Sequence, residues 1–190
     1  MNKLALVVLA AGASRRFGSL KQLADIDGTP LLQRVIDNCR PLADCDLYLA
    51  LGAEYKQILK HIAAEQSQLI INENWQEGIA ATIRTAVAEL EEDYSAILFV
   101  AGDQPMIKTQ QLADMIAQWQ NNRALICAAH YRETLGIPAI FPKEYFLELK
   151  QLQGDKGAKA LLLKQHSLQV VSIPEAALDI DYPEGIGAKE

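Results

Sequence analysis

A chain of 190 residues, half of them apolar, can bury a large core as one domain without covalent staples, and its 11 glycines and 7 prolines exclude collagen-like and disordered classes. With 18 basic against 24 acidic residues the net charge is −6, which excludes a surface built to coat nucleic acid and confines any anion site to a few local cations. Cys39, Cys45 and Cys127 are odd in number and lack the Cys-x-x-Cys spacing, so neither a disulfide framework nor a structural zinc is expected, and a reducing cytoplasm is the default.

The N-terminal run needs separate weighing. Lys3, the apolar stretch from Leu4 and the small residues Ala11-Gly12-Ala13 imitate a secretory signal with its cleavage site. The single lysine and the short apolar core argue against it, and cleavage would remove the first strand of a parallel sheet. No run approaches the roughly 20 apolar residues of a membrane span, so no membrane association is expected.

In chain order, short apolar runs alternate with helical periodicity, the pattern of an α/β fold with a mainly parallel sheet. Leu4 to Leu9 is the first predicted strand. Thr29-Pro30 reads as an N-cap and first-turn pair, followed by a helix burying Leu31, Leu32, Val35, Ile36 and Cys39. Leu47 to Leu51 is a strand, and Glu54 to Gln66 a helix with Tyr55, Ile58, Leu59, Ile62 and Ala63 on one side. Leu69 to Ile71 is a short strand, and a helix begins after Gly78 with Ile79, Ile83, Ala86, Val87 and Leu90 inward.

Ala96 to Ala101 is the most apolar strand. A helix over Thr109 to Gln120 buries Leu112, Met115, Ile116 and Trp119. Leu125 to Ala129 and Ile137 to Phe141 are strands, and Pro138 places the latter at an edge or at its own start. A short helix follows Pro142, another closes at Leu161 to Leu163, Leu168 to Ile173 is the final strand, and the tail from Gly185 is expected to fray. With no repeat, linker or low-complexity tract, residues 1–190 are expected to form one domain.

The chemistry centres on Leu9 to Leu23, which reads Leu-Ala-Ala-Gly-Ala-Ser-Arg-Arg-Phe-Gly-Ser-Leu-Lys-Gln-Leu. A strand emptying into Ala10, Ala11, Gly12, Ala13 and Ser14 lets backbone N–H groups approach a ligand. Arg15, Arg16 and Lys21 make that ligand anionic, most simply a phosphate chain. This is not a Walker A loop, because Ser19-Leu20 and not a lysine follow Gly18, and it lacks the Gly-x-Gly-x-x-Gly of dinucleotide sites.

A second stretch, Gly102-Asp103-Gln104-Pro105, also leaves a strand directly. In open α/β sheets ligands lie beyond the carboxyl ends of the strands, so both stretches project to one edge. Cations from one and a carboxylate from the other suit a metal–triphosphate complex, with Mg²⁺ held by Asp103. His61, His130 and His166 are scattered and form no nucleophilic set.

The first stretch resembles the signature Leu-Ala-Ala-Gly-x-Ser-x-Arg-Phe/Met-Gly-x-x-Lys of the MobA-like nucleotidyltransferases. Further matches follow in order. Asn74 to Arg84 is similar to the family's Trp-x-x-Gly-Met-x-x-Ser-x-Arg/Lys helix start, with Ala81 where a hydroxyl is common and Thr82 keeping one. Gly102-Asp103-Gln104-Pro105 resembles the metal-ligand motif. Gly136 to Phe141 resembles a segment on the second-substrate side, with Ile137 in place of a polar residue. Gly154-Asp155-Lys156-Gly157-Ala158-Lys159 resembles a family element whose lysine suits an acceptor phosphate. Asp179-Ile180-Asp181-Tyr182-Pro183-Glu184 resembles a late acidic motif, with Tyr182 in place of threonine.

The resemblance implies a Rossmann-like three-layer sandwich of the nucleotide-diphospho-sugar transferase type, Mg²⁺-dependent nucleotidyl transfer, and Asp181 as a second metal contact beside Asp103. It implies nucleotide contacts at Ala10, Ala11, Gly12, Ser14, Arg16, Lys21, Gly78, Thr82 and Asp103, with Arg16, Lys21 and Asp103 catalytic. Gly78 would let the nucleotide approach. The Leu-Ala-Ala-Gly and Gly-Asp-Gln-Pro forms resemble the branch that contains molybdenum cofactor cytidylyltransferase. CTP as donor, molybdopterin as phosphorylated acceptor, and a molybdoenzyme or chaperone as protein partner are implied by that branch. Transfer to a sugar or polyol phosphate, and a non-catalytic nucleotide-binding regulator, are the alternatives.

Overall fold

The computed structural model describes residues 3–14, 17–43 and 45–180, with the Lys156 side chain excepted. Strand β1 (Leu4–Leu9) is buried along its whole length. Its neighbours are β4 (Cys45–Leu51) and β6 (Ala96–Ala101), both parallel to it and in register from Leu4 onward. β5 (Gln68–Ile71) adds to β4 in parallel on the outer side. Beyond β6 lie β8 (Thr134–Pro142), β7 (Cys127–Tyr131) and β9 (Gln169–Ser172).

Among the described residues these form one seven-stranded sheet in the order β5-β4-β1-β6-β8-β7-β9. Only β8 runs against its neighbours. The mainly parallel sheet expected from the sequence is therefore present, and its central strands read as continuous apolar runs because both faces are covered.

Alternation along each strand assigns residues to two cores. Leu4, Leu6, Val8 and Ala10 join Leu98 and Val100 on one face, under α1 (Leu31–Cys39) and α4 (Thr109–Gln120). Ala5, Val7 and Leu9 join Ile97 and Phe99 on the other, under α3 (Ile79–Leu90), α5 (Phe146–Lys150) and α6 (Lys159–Leu162). Helices on both sides of a twisted sheet make the three-layer sandwich. Strands β1 and β6 and helix α4 have the limits read from the sequence, and α4 buries the four residues expected.

Three expectations are corrected. Thr29 does not cap α1: it pairs with Ile26 in a two-residue hairpin of β2 (Asp25–Ile26) and β3 (Thr29–Pro30), and Pro30 takes the N-cap position. The helix expected over Glu54 to Gln66 is a single turn, α2 (Tyr55–Ile58). Its continuation is lost because the backbone of Ala63 is held by side chains of α1: its N–H donates to Gln33 Oε1 at 2.6 Å, and its carbonyl accepts from Arg40 at 2.9 Å. Ala63 is accordingly exposed.

Pro138 lies inside the sheet, not at an edge. The register of β7 against β8 jumps from Ala128↔Ala139 to Ala129↔Gly136, so Ile137 and Pro138 fall in a bulge, and pairing with β6 stops at Ala139. At a bulge the missing proline N–H breaks no ladder bond. Among the described residues no helix is long and apolar enough to cross a membrane.

Candidate functional site

β1 and β6 end side by side, and the site is built on their exits. Gly102 makes the close approach possible. A Cβ there would lie 2.8 Å from Ala10 Cβ and 2.9 Å from the Leu9 carbonyl, to which the Gly102 N–H donates at 2.9 Å. The residue after that contact is Asp103. The stretch beyond it is held to α1, whose Asn38 amide donates to the carbonyls of Pro105 and Ile107.

The loop after β1 is shaped by Gln22, a residue the sequence reading passed over. Gln22 is 4% exposed. Its Nε2 donates to the carbonyls of Ala10 at 3.2 Å and Gly12 at 2.8 Å, while its Oε1 accepts from the Ser14 hydroxyl at 3.0 Å. Ser14 itself is left-handed at φ 52°. With those carbonyls engaged on one side, the backbone amides of Ala11, Gly12, Ala13 and Ser14 donate to no acceptor among the described residues. Gly12 is exposed and has open space where a Cβ would stand. A run of free amides at a strand exit is an anion cradle.

Lys21 closes the cradle. Its Nζ lies 2.7 Å from Asp103 Oδ2, both side chains being about three-quarters or more buried. The cationic and acidic loops therefore meet at one sheet edge. Arg16 and Asp181 lie outside the described residues. Ile180 is described, and its N–H donates to the Asp103 carbonyl at 3.1 Å, so the late acidic motif reaches the same loop. Asp179 is exposed.

A cleft of about 620 Å³ opens from these groups to the start of α3. Ala10, Ala11, Gly12 and Ser14 line it, as do Lys21, Gly78, Thr82 and Asp103, so the expected nucleotide contacts that are described share one cavity. Thr82 is buried and its Oγ1 accepts from Asn72 Nδ2 at 3.0 Å, which fixes the hydroxyl. Asn72 was not singled out in the sequence, where nothing marks an asparagine at a strand end as buried.

Gly78 lines the cleft and also has a packing role. At φ 96° its missing side chain makes room for the chain's own Gly154–Asp155: a Cβ there would clash with Asp155 Oδ1 and lie 2.8 Å from the Gly154 backbone. Asp155 thereby becomes a wall of the cleft. Lys159 is exposed, and Gly136 to Phe141 does not line the cavity.

The donor set can be tested against a metal. Asp103 offers a carboxylate, and the groups around it are oxygens, amides and a lysine. Mg²⁺ and Mn²⁺ prefer oxygen and need only one or two protein carboxylates when phosphates and water complete the shell. Asp103 fits that requirement. Thiol chemistry does not suit the chain: burial pushes Cys39 and Cys127 up to about 12, which keeps both protonated at neutral pH. The three histidines are all exposed.

Among solved structures, the chain is similar to Rv0371c from Mycobacterium tuberculosis H37Rv, with 28% identity, a TM-score of 0.85, and coverage of 97% of this chain and 95% of that one. A manganese complex of that protein matches at 26% identity and TM-score 0.77, covering 91% and 89%. Among characterised sequences, bifunctional protein GlmU of Desulfotalea psychrophila is 28% identical over 127 residues, 66% of this chain. The match spans 37% of that relative's length. Residues 6–170 match the MobA-like NTP transferase domain. A match over most of the chain, on a fold whose two diagnostic loops meet, makes this protein a member of the MobA-like NTP transferase family.

Proposed function

We propose that the chain transfers CMP from CTP to a phosphorylated acceptor, molybdopterin, and releases pyrophosphate. The observation that carries this is the Lys21–Asp103 contact beside the free amides of Ala11 to Ser14. In the reaction an acceptor phosphate oxygen forms a bond to the α-phosphorus of the nucleotide. The bond from that phosphorus to the α–β bridging oxygen breaks, and the electron pair leaves with pyrophosphate.

Such transfer asks little covalent work of a protein; positioning and charge neutralisation dominate. The loop amides hold the phosphate chain from one side. Lys21 carries positive charge to the phosphates, and Arg16 is the second cation assigned to that task. A divalent cation held by Asp103, with Asp181 as second contact, would neutralise charge on the reacting phosphates. The manganese complex of the similar protein Rv0371c supports a divalent-metal site here. CTP as donor rests on the Leu-Ala-Ala-Gly and Gly-Asp-Gln-Pro forms, and a cytoplasmic enzyme with a molybdoenzyme or chaperone partner goes with that branch.

Pyrophosphate release measured across the four ribonucleoside triphosphates, with and without molybdopterin and with Mg²⁺ or Mn²⁺, tests the reading. CTP should turn over fastest and only when molybdopterin is present. Release with a sugar or polyol phosphate instead would select the second reading. Triphosphate binding without release under any acceptor would leave a non-catalytic regulator.

A further inference from the structure

Gln104, next in sequence to Asp103, is 5% exposed. Its Nε2 donates to the Ala176 carbonyl at 2.6 Å, and its Oε1 is buried without a hydrogen-bond partner. A buried amide with one unpaired atom is destabilising, so an apolar side chain of the same length would serve core packing better. The amide therefore needs a reason in geometry, and its partner supplies one.

Ala176 belongs to a short segment that precedes the late acidic motif. Pro174–Ala177 forms one 3₁₀ turn, and the residues after it have no regular structure. Ala176, Ala177 and Ile180 are buried, Ala176 in the core under α1 and α4 and Ile180 beside Ile26 and Leu31, while Leu178 and Asp179 are exposed. Polar bonds add to this packing. Besides the Gln104 bond, Gln111 Nε2 donates to the Glu175 carboxylate at 2.5 Å, and the Ile180 N–H donates to the Asp103 carbonyl at 3.1 Å. The segment is thus bound at both ends to the loop and helix that follow β6. Burial chiefly raises the pKa of the Tyr131 hydroxyl; the charges of Asp179 and then Asp103 raise it further, and a hydrogen bond from Gln104 lowers it.

We propose that Gln104 is a positioning residue: it seats residues 174–180 on the Asp103 loop so that Asp179 joins Asp103 in serving one divalent cation. This rests on the reading above that Asp103 holds a metal. Gln104 touches neither metal nor substrate in this account. It acts through the placement of the second acidic segment.

Gln104→Met removes both polar atoms at nearly constant length. The full chain is titrated with Mn²⁺ alone, free Mn²⁺ being followed by its electron paramagnetic resonance signal, and amide hydrogen exchange is measured over 174–180 and over β1 and β6. The expected result is a loss of Mn²⁺ affinity of about tenfold, faster exchange confined to 174–180, and an unchanged KM for CTP at saturating metal. Unchanged Mn²⁺ affinity, or acceleration spread through the sheet, overturns the proposal. Should Gln104→Met not fold, Glu175→Ala releases the Gln111 contact while leaving the Gln111 bond that caps α4, and is read by the same criteria, with a smaller shift in the same direction. Asp103→Asn is titrated alongside. If it too leaves Mn²⁺ affinity unchanged, the metal reading itself fails; if it weakens Mn²⁺ while Gln104→Met does not, only the positioning role falls.

Discussion

Lys21 Nζ and Asp103 Oδ2 stand 2.7 Å apart across 82 residues of sequence, at the exits of two adjacent parallel strands. Each side chain offsets the other's charge, which matters because an uncompensated charge in a partly enclosed site is costly. A metal-bound triphosphate carries both signs. On the proposed reading, Lys21 would turn to phosphate oxygen and Asp103 to the cation when such a ligand binds.

Asp103→Ala should abolish transfer, a loss of at least about 10³-fold in kcat, while the fold survives, since Asp103 lies at a strand exit and not in either core. Pyrophosphate release and thermal unfolding measured on the same preparation check both halves. Retained turnover with Mg²⁺ would refute the metal role. Lys21→Met should also depress kcat, and unlike Asp103→Ala it should not weaken Mn²⁺ binding.

Gln22→Leu keeps the side-chain volume but removes three hydrogen bonds, to Ala10, Gly12 and Ser14. Partners left unpaired in a buried place cost about 1–3 kcal/mol, visible in urea unfolding as a lower midpoint. The loop then loses the brace that directs its carbonyls inward and its amides outward. KM for CTP should rise by about tenfold, the equivalent of 1.4 kcal/mol, with a smaller change in kcat. A stability loss without any change in KM would show that the loop keeps its shape unaided.

What could be read in advance followed from short-range rules. β1, β6 and α4 were legible because unbroken apolar runs and 3.6-residue periodicity were bounded by turn residues, and the meeting of Lys21 with Asp103 followed from parallel strands sharing an edge. The misses were long-range. A helix through Glu54 to Gln66 satisfies local propensity, and only the capture of Ala63 by Gln33 and Arg40 ends it early. Pro138 looked like an edge marker because a bulge depends on the register of two other strands. Gln22, Asn72 and Gln104 were passed over for the same reason. Amide side chains are usually exposed, and their partners here are mostly main-chain groups or a hydroxyl that no spacing rule identifies.

Gly78→Ala tests whether the α3 start and the Gly154–Asp155 turn form one wall. Alanine is strained at φ 96°, and its Cβ would meet both the Asp155 carboxylate and the Gly154 backbone. A destabilisation of about 1–3 kcal/mol is expected, together with loss of the thermal shift that CTP induces. Adding Asp155→Ala removes only the side-chain obstacle, so the double variant should remain destabilised. Full recovery would mean that the backbone contact is not what requires glycine.

At the opposite end of the sheet, Asp46 accepts from Lys3 Nζ at 2.6 Å and from the Tyr94 hydroxyl at 2.6 Å, and Tyr94 in turn meets the Tyr48 hydroxyl at 2.9 Å. The Lys3 contact first, and then the Tyr94 hydroxyl, hold the Asp46 carboxyl below its ordinary value. A carboxylate with a depressed folded pKa adds stability above its unfolded pKa, about 4, and that stability is lost as pH falls through the folded value. The Lys3 contact is exposed and screened by water, so the gain at neutral pH is small. Asp46→Asn should therefore unfold slightly below the wild type at pH 7. The gap should close below about pH 4, where the wild-type carboxylate takes up its proton and the two chains carry the same charge. It should also narrow in high salt. Unfolding temperatures of both proteins across pH 2 to 8 decide the matter: a gap that persists unchanged into acid would assign the effect to the lost hydrogen-bond geometry and not to the charge.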